Sequence, residues 1–420
     1  MALAVESVAA VAERAKRASR VLARADAETR NNVLESVARL LGERSEEILA
    51  ANRADLADDR ASGLNSSLRD RLALSGERVE AMAAGVRAIA ALEDPVGEEI
   101  ESRVLPSGLR LRKLRVPLGL VAVVYEARPN VTIDCAALTI KSGNAIILRG
   151  SSYAAHSNFA LAAVVAEALA EAGVPAEAVA LLEGGREDLT ELATLDGLVD
   201  LIIPRGGEGL KQALKRVATV PVMYAASGNC HVYVDSAADL EMAKRIILNA
   251  KLSRPGVCNA AESLLVHASV AEDFLPGTLA ELGAAGVELV GDEAVASAAA
   301  GIAVGRASES DWASEFLDLK LAVGVVDSLE DAIEHVNRYG SGHSEAIVTG
   351  SDRAALEFTE GADAAAVYVN ASTRFTDGFE YGLGAEVGNS TQKLHARGPI
   401  GLRELMTTKY VLRGEGQVRE

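Results

Sequence analysis

One cysteine in this chain has the neighbours of a nucleophile. It is Cys258, in the stretch NAKLSRPGVCNAAE that runs from Asn249 to Glu262. A thiol just past Pro255-Gly256 sits on a turn, and turns present backbone N–H groups. Those groups can hold a thiolate, or the oxyanion formed when a thiolate attacks a carbonyl carbon. Lys251 and Arg254 add positive charge, which favours ionised sulfur and can hold a phosphate. The chemistry served by this combination is covalent attack on an acyl group. A packed cysteine at a strand edge, beside solvated cations, would have the same local sequence, and these residues alone leave both readings open. Cys135 and Cys230 stand far off in no metal-ligand spacing, and an odd total of three argues against a disulfide framework.

Two turns have the make-up of phosphate-facing loops. Arg149-Gly150-Ser151-Ser152 follows the apolar run AIIL, and Arg205-Gly206-Gly207-Glu208 follows LVDLIIP. Each precedes a helical pattern, and small residues before a helix N-terminus let backbone approach an anion. Neither is a G-x-G-x-x-G fingerprint, and either alone reads as an ordinary strand-to-helix turn. Together they predict a dinucleotide site, with Arg149 at its adenosine ribose end.

Such turns need a sheet behind them. GLVAVVYEARPN, NAIILRG and LVDLIIP are short apolar runs closed by Pro, Gly or Asn, and helical stretches such as Ala154 to Ala172 lie between them. Alternating strand and helix predicts a mostly parallel sheet covered by helices. The alternation restarts after Asn229 with HVYVD, ESLLVH, LAVGVVD, SEAIVTG and AAAVYVN, which predicts a second α/β domain. Val5 to Leu92 reads as helical with breaks near Asp26, Gly63 and Gly76. LRLRKL (109–114) alternates like a half-exposed strand. The terminal LMTTKYVL (405–412) is a β-run that must pair with that ribbon or with a partner subunit.

A chain of 420 residues is expected to hold two or three domains. A net charge of -18 and a pI near 4.9 leave no basic footprint for a nucleic acid. The apolar runs Leu120–Tyr125 and Phe159 to Ala166 fall well short of the roughly 18 residues of a membrane span. The alanine-rich start, Met1 to Arg20, lacks the pattern of a signal peptide. A cytoplasmic enzyme without membrane or metal is the expectation.

VPLGLVAVVYEARPNVT, SGNAIILRGSSYAAHSN, SRPGVCNAAESLLVH and YGSGHSEAIVTG together resemble the gamma-glutamyl phosphate reductase family of the aldehyde dehydrogenase superfamily. The likeness runs from about residue 5 to residue 412. It implies an aldehyde dehydrogenase-like α/β fold: a Rossmann-type cofactor domain (1–108 and 118–228), an α/β catalytic domain (229–400) and a β oligomerisation arm (109–117 and 401–420).

By the same resemblance Cys258 is the nucleophile, and Asn130 donates to the oxyanion with the cysteine N–H. Arg149 stands where a lysine usually holds the adenosine ribose. Ser152 stands where NAD-preferring members carry a glutamate, and losing that carboxylate favours NADPH over NADH. Glu315 resembles the glutamate on the nicotinamide ribose, with a surface ion pair as the alternative. The stretch Ala225-Ala226-Ser227-Gly228-Asn229 lacks the water-activating glutamate of oxidative members, which suits a reductase.

The implied reaction is NADPH-dependent reduction of L-glutamyl 5-phosphate to glutamate 5-semialdehyde, the second step of proline biosynthesis. Arg254 or Lys251 would guide the departing phosphate. Arg374 and Glu262 are candidates for the substrate carboxylate and amine, and His343 for a proton donor or a structural histidine. A homo-oligomer and a transient contact with glutamate 5-kinase are the implied partners. An ordinary aldehyde oxidiser is the rival reading.

Overall fold

The N-terminal helices begin where capping residues stop the backbone from starting earlier. In the computed structural model, which describes residues 6–64, 66–224, 227–299 and 301–419, Ser7 caps α1 (Val8–Leu22) and Asp26 caps α2 (Ala27–Glu43). Then follow α3 (Ser45–Ala57), a 3-10 turn over Asp59–Gly63, α4 (Ser66–Leu72) and α5 (Gly76–Ala91), the last capped by Ser75. Each cap oxygen accepts an N–H that the first turn cannot pair internally. The breaks expected near Asp26, Gly63 and Gly76 fall at these boundaries.

Three strands form an antiparallel ribbon in the order β1-β2-β16: β1 (Glu99–Val104), β2 (Arg110–Pro117) and the terminal strand Met406–Arg413, β16. The terminal strand pairs along the whole of β2, from Met406 opposite Pro117 to Arg413 opposite Arg110. Its partner is therefore the ribbon of its own chain. The ribbon also takes in β1, a strand absent from the sequence reading.

The chain divides into two units, Met1–Tyr224 with Gly382–Gly388 and Ile400–Glu420, and Ala225–Tyr381 with Asn389–Pro399. The first holds a parallel sheet, β5-β4-β3-β6, from β3 (Leu120–Tyr125), β4 (Ala145–Arg149), β5 (Val179–Leu181) and β6 (Leu201–Arg205). Helices α6 (Asn130–Lys141), α7 (Ala155–Glu171), α8 (Arg186–Ala193) and α9 (Glu208–Val217) connect or follow these strands. Every residue of β3 is buried, because helices cover both faces of a central parallel strand. From β3 the chain winds one way to β4 and β5, then crosses to β6. The crevice beyond the ends of β3 and β6 is thus a topological switch point.

The second unit holds a parallel sheet in the order β10-β9-β11-β8-β7-β12-β13. Its strands are β7 (Cys230–Val234), β8 (Ala261–His267), β9 (Glu288–Gly291), β10 (Gly305–Arg306), β11 (Lys320–Val326), β12 (Ser344–Val348) and β13 (Ala366–Val369). Asn389–Ser390 (β14) and Gly398–Pro399 (β15) make a small antiparallel pair. The core packs Val232, Leu264, Val266, Val323 and Ala346 against Phe274 and Leu279 of the following helix, all buried. Helix α10 (Leu240–Leu252) leads from β7 to the turn that carries Cys258. Among the described residues, no helix is long and apolar enough to cross a membrane.

Candidate active site

Cys258 sits three residues before β8, half-buried, in a loop pinned from two sides. Its carbonyl oxygen accepts the Cys230 thiol, Sγ to O 3.2 Å. On the other side lies Gly228, packed so closely that a Cβ there would stand 1.4 Å from that same carbonyl oxygen. Only glycine fits such an approach. Ser227 to Asn229 therefore runs beside the cysteine, while Ala225 and Ala226 lie outside the described residues. Glu315 joins the assembly by accepting the Gly228 N–H at 2.7 Å.

Lys251 and Glu262 are the two residues read from the sequence as substrate contacts. They are paired with each other, Nζ to Oε2 2.6 Å, and both side chains are fully buried. One closes α10 and the other opens β8, so the pair spans the cysteine loop from below. Burial pushes the Glu262 carboxyl up to about 7, although the ammonium opposes the shift. The same burial lowers the pKa of Lys251. Glu262 spends its second oxygen on the Leu317 N–H, 3.1 Å away. Leu317 has φ +55, a left-handed conformation that a leucine adopts only when its surroundings hold it there. A chain of contacts follows: Lys251 holds Glu262, Glu262 holds Leu317, and Glu315 two residues earlier holds Gly228 against Cys258. The buried ion pair thus supports the loop that carries the thiol.

The cations that remain beside the thiol are Arg374 and Arg254. Arg374 donates from Nε to Ser253 Oγ at 3.0 Å and from Nη1 to Asn259 Oδ1, so it grips both flanks of the cysteine. Burial, and after it the charge of Arg254, pull its pKa down, and Cys258 lies within its electrostatic reach. Arg254 is exposed. Guanidinium charge within reach of a half-buried sulfur favours the thiolate and can hold an anionic leaving group. By contrast, burial pushes the Cys230 thiol well up, so it stays protonated and inert. His343 is buried, its pKa pushed down to about 4, and its Nδ1 lies 2.7 Å from Ser344 Oγ. Burial thus favours its neutral form.

In the first unit, Asn130 is exposed and opens α6, five residues past the end of β3. Its Nδ2 donates to Asp134 Oδ2 at 2.9 Å, one turn along the helix. That bond fixes the amide plane and leaves one N–H to point elsewhere. Burial raises the Asp134 carboxyl to about 6. Sequence reading missed Asp134, although its i, i+4 spacing from Asn130 was a usable signal.

The two turns precede helices as expected, but carboxylates already occupy their N–H groups. Buried Asp55 of α3 accepts from the His156 and Ser157 N–H groups at the start of α7, at 3.0 and 2.8 Å. The Gly207 N–H donates to Glu126 Oε1 at 2.9 Å, and a Cβ on Gly206 would press on that same oxygen. Any phosphate on α9 would have to displace Glu126. Gly150 packs against Asn158, Ser151 caps the short turn before α7, and Ser152 is exposed. Arg149 donates from Nη2 to the Gly184 and Gly185 carbonyls at 3.0 and 2.8 Å, while its Nε is buried with no hydrogen-bond partner.

Beyond β5 lies a cavity of about 670 Å³, lined by Val8, Val179, Leu182 and the Phe159, Ala162 and Ala166 stripe of α7. Phe159 is 64 % exposed, an aromatic face with nothing packed over most of it. Beside it is a second cavity of about 450 Å³. Glu6, Glu183, Asp188 and Glu191 also line the larger cavity, so an open aromatic and an apolar stripe stand with carboxylates that can accept from a nucleoside's amine and hydroxyl groups. Sequence reading missed Phe159 because an aromatic among alanines looks the same whether it faces core or solvent.

A two-unit α/β chain with a pinned, cation-flanked thiol has the architecture of aldehyde dehydrogenases. The model of the aldehyde dehydrogenase family matches residues 2–299. An acetylating aldehyde dehydrogenase from Geobacillus thermoglucosidasius shares the fold at 19% identity, with a TM-score of 0.70 over 98% of this chain and 97% of that one. Much nearer are the gamma-glutamyl phosphate reductases of Thermobifida fusca, 53% identical over 97% of this chain and 98% of that protein, and of Kineococcus radiotolerans, 54% identical over 99% and 96%. The crystal structure of gamma-glutamyl phosphate reductase from Thermotoga maritima is 46% identical and superposes with a TM-score of 0.96 over 99% of this chain and all of that one. The chain belongs to the gamma-glutamyl phosphate reductase family, and it is an oxidoreductase of the aldehyde dehydrogenase type.

Proposed function

We propose that this enzyme reduces L-glutamyl 5-phosphate to L-glutamate 5-semialdehyde and phosphate, with NADPH as reductant, as the second step of proline biosynthesis. The observation that carries the reading is the half-buried Cys258 beside Arg374 and Arg254. The thiolate adds to the acyl carbon, and the oxyanion takes hydrogen bonds from backbone N–H and from the Asn130 amide. The C–O bond to phosphate breaks and a thioester on Cys258 remains, with Arg254 and Arg374 accompanying the leaving dianion. The nicotinamide, when bound, supplies a hydride to the thioester carbon. The C–S bond then breaks, releasing aldehyde and restoring the thiolate. Expressed as a balance, acyl phosphate, NADPH and a proton give aldehyde, NADP+ and phosphate.

Asn130 is the oxyanion donor in this reading, oriented by Asp134. Phe159 and the alanine stripe receive adenine, and Arg149 shapes the loop around it. The exposed Val104, Tyr410 and Leu412 of the ribbon make it the surface for a second copy of the chain. The test runs the reaction backwards, because the aldehyde is the stable partner. Glutamate semialdehyde and NADP+ should form NADPH only when inorganic phosphate is present, and not at all in Cys258→Ala. Equal rates without phosphate would make water the acyl acceptor and the protein an aldehyde oxidiser.

A further inference from the structure

Ser152 removes a repulsive carboxylate, but removing repulsion does not bind a phosphate. Arg149, the cation expected there, has its guanidinium turned to the Gly184 and Gly185 carbonyls. The second cavity, next to the nucleoside slot, offers a different pair. It is lined by Arg60 from the turn after α3 and by His156 at the start of α7, and it shares Phe159 and Glu183 with the larger cavity.

We infer that Arg60, assisted by His156, grips the 2′-phosphate of the dinucleotide and sets the choice of NADPH over NADH; this rests on the cofactor reading above. Arg60 holds Asp58 through Nε and Nη2 at 2.8 and 2.7 Å, which aims the guanidinium while leaving Nη1 unused. Half of its side chain is exposed, so it is open to a ligand. His156 is anchored from behind: its Nδ1 lies 2.9 Å from Asp55 Oδ1, and the ring is 54 % exposed. With Nδ1 bonded to a carboxylate, Nε2 is the atom left to face the cavity.

The carboxylates nearby are largely committed. Asp55 takes four bonds, from the His156 ring and N–H and from the Ser157 N–H and hydroxyl. Asp58 is held by Arg60, and Glu47 pairs with Arg44 at 3.3 Å. Glu183, on the wall common to both cavities, remains as the opposing charge. It weakens a 2′-phosphate without affecting a 2′-hydroxyl to the same degree, so it tunes the preference that Arg60 creates. Phosphate recognition favours arginine over lysine here because the planar fork can serve Asp58 with one edge and a phosphate oxygen with the other.

The experiment measures binding, not turnover. Titrate the full chain with NADP+, NAD+, 2′-AMP and 5′-AMP by calorimetry, for the native protein, Arg60→Ala, Arg60→Lys and Glu183→Gln. Arg60→Ala should weaken NADP+ and 2′-AMP by roughly tenfold or more, leave NAD+ and 5′-AMP unchanged, and be partly rescued by lysine. Glu183→Gln should tighten NADP+ relative to NAD+. Equal weakening of all four ligands would make Arg60 a structural residue, and no change in any would place the 2′-phosphate elsewhere; either overturns the inference. If the native protein binds NADP+ no better than NAD+, it is the NADPH reading itself that fails.

Discussion

The Cα of Gly228 faces the backbone of Cys258 so closely that a methyl group there would stand 1.4 Å from the cysteine carbonyl oxygen. The loop carrying the thiol can keep its place only while residue 228 has no side chain. Gly228→Ala should therefore push the thiol out of register. Expected are a loss of about 1–3 kcal/mol of stability, as for an overpacked core, and a changed rate of Cys258 alkylation by iodoacetamide. Native melting and alkylation rates in that variant would show that the loop can yield cheaply.

The two thiols near this contact should differ sharply. Cys258→Ala should abolish turnover while NADP+ binding persists, measured by calorimetry. Cys230→Ala should retain most activity, because that thiol is buried and held protonated. Substantial turnover in Cys258→Ala would remove the nucleophile from the mechanism.

Lys251 and Glu262 should behave as a unit. Lys251→Met leaves a buried carboxylate alone, and the expected cost is about 3–5 kcal/mol, as for other broken buried pairs. The remaining Glu262 carboxyl will take a proton. Its folded pKa lies above the ordinary value, so its protonated form favours folding below pH 4.5. With the opposing ammonium gone, that folded pKa lies above the native value of about 7, and the contribution is lost as pH rises through it. The variant should thus melt highest in mild acid, a profile that thermal scans from pH 5 to 8 would display. Adding Glu262→Leu should recover much of the stability but not activity, since Leu317 then loses the acceptor that holds its left-handed turn.

Asp134 trades stability for orientation. Its carboxyl is raised to about 6 by burial, so the charged form opposes folding above that pH. Asp134→Asn should raise the melting temperature at pH 8, yet lower kcat by roughly tenfold or more through a loosened Asn130 amide. In the native enzyme, kcat should fall as pH drops through 6 and the carboxylate protonates. A flat kcat profile across that range, with unchanged kcat in the variant, would make the Asn130–Asp134 bond a helix-surface contact only.

Ser152→Glu restores a carboxylate beside the expected 2′-phosphate position. The ratio of NADP+ to NAD+ affinity should fall by roughly tenfold or more, mainly through NADP+. An unchanged ratio would mean that the exposed turn before α7 does not meet the cofactor ribose.

Much of the fold could be read from periodicity. The breaks at Asp26 and Gly76, the strands ending at Tyr125, Arg149 and Arg205, and the terminal β-run all followed from local pattern, because capping and alternation are local effects. The turn that carries Cys258 was legible for the same reason: the Pro-Gly pair and the cations lie within a few residues of it. The fates of those cations were not legible. Lys251 and Arg254 look alike in sequence, three residues apart near a thiol, yet one is sealed in the core and the other is exposed. Burial depends on what the rest of the chain packs against a side chain, and the partner that neutralises Lys251 sits eleven residues on, across a helix end, a turn and a strand start. Likewise, Asp55 and Glu126 fill turns that sequence left open to phosphate, and Arg60 lines one cavity with His156 from a segment 96 residues earlier. Residue type and spacing determined which chemistry this protein carries. Tertiary packing decided which charges remain available to perform it, because a charge in a protein is set by its surroundings and not by its neighbours in sequence.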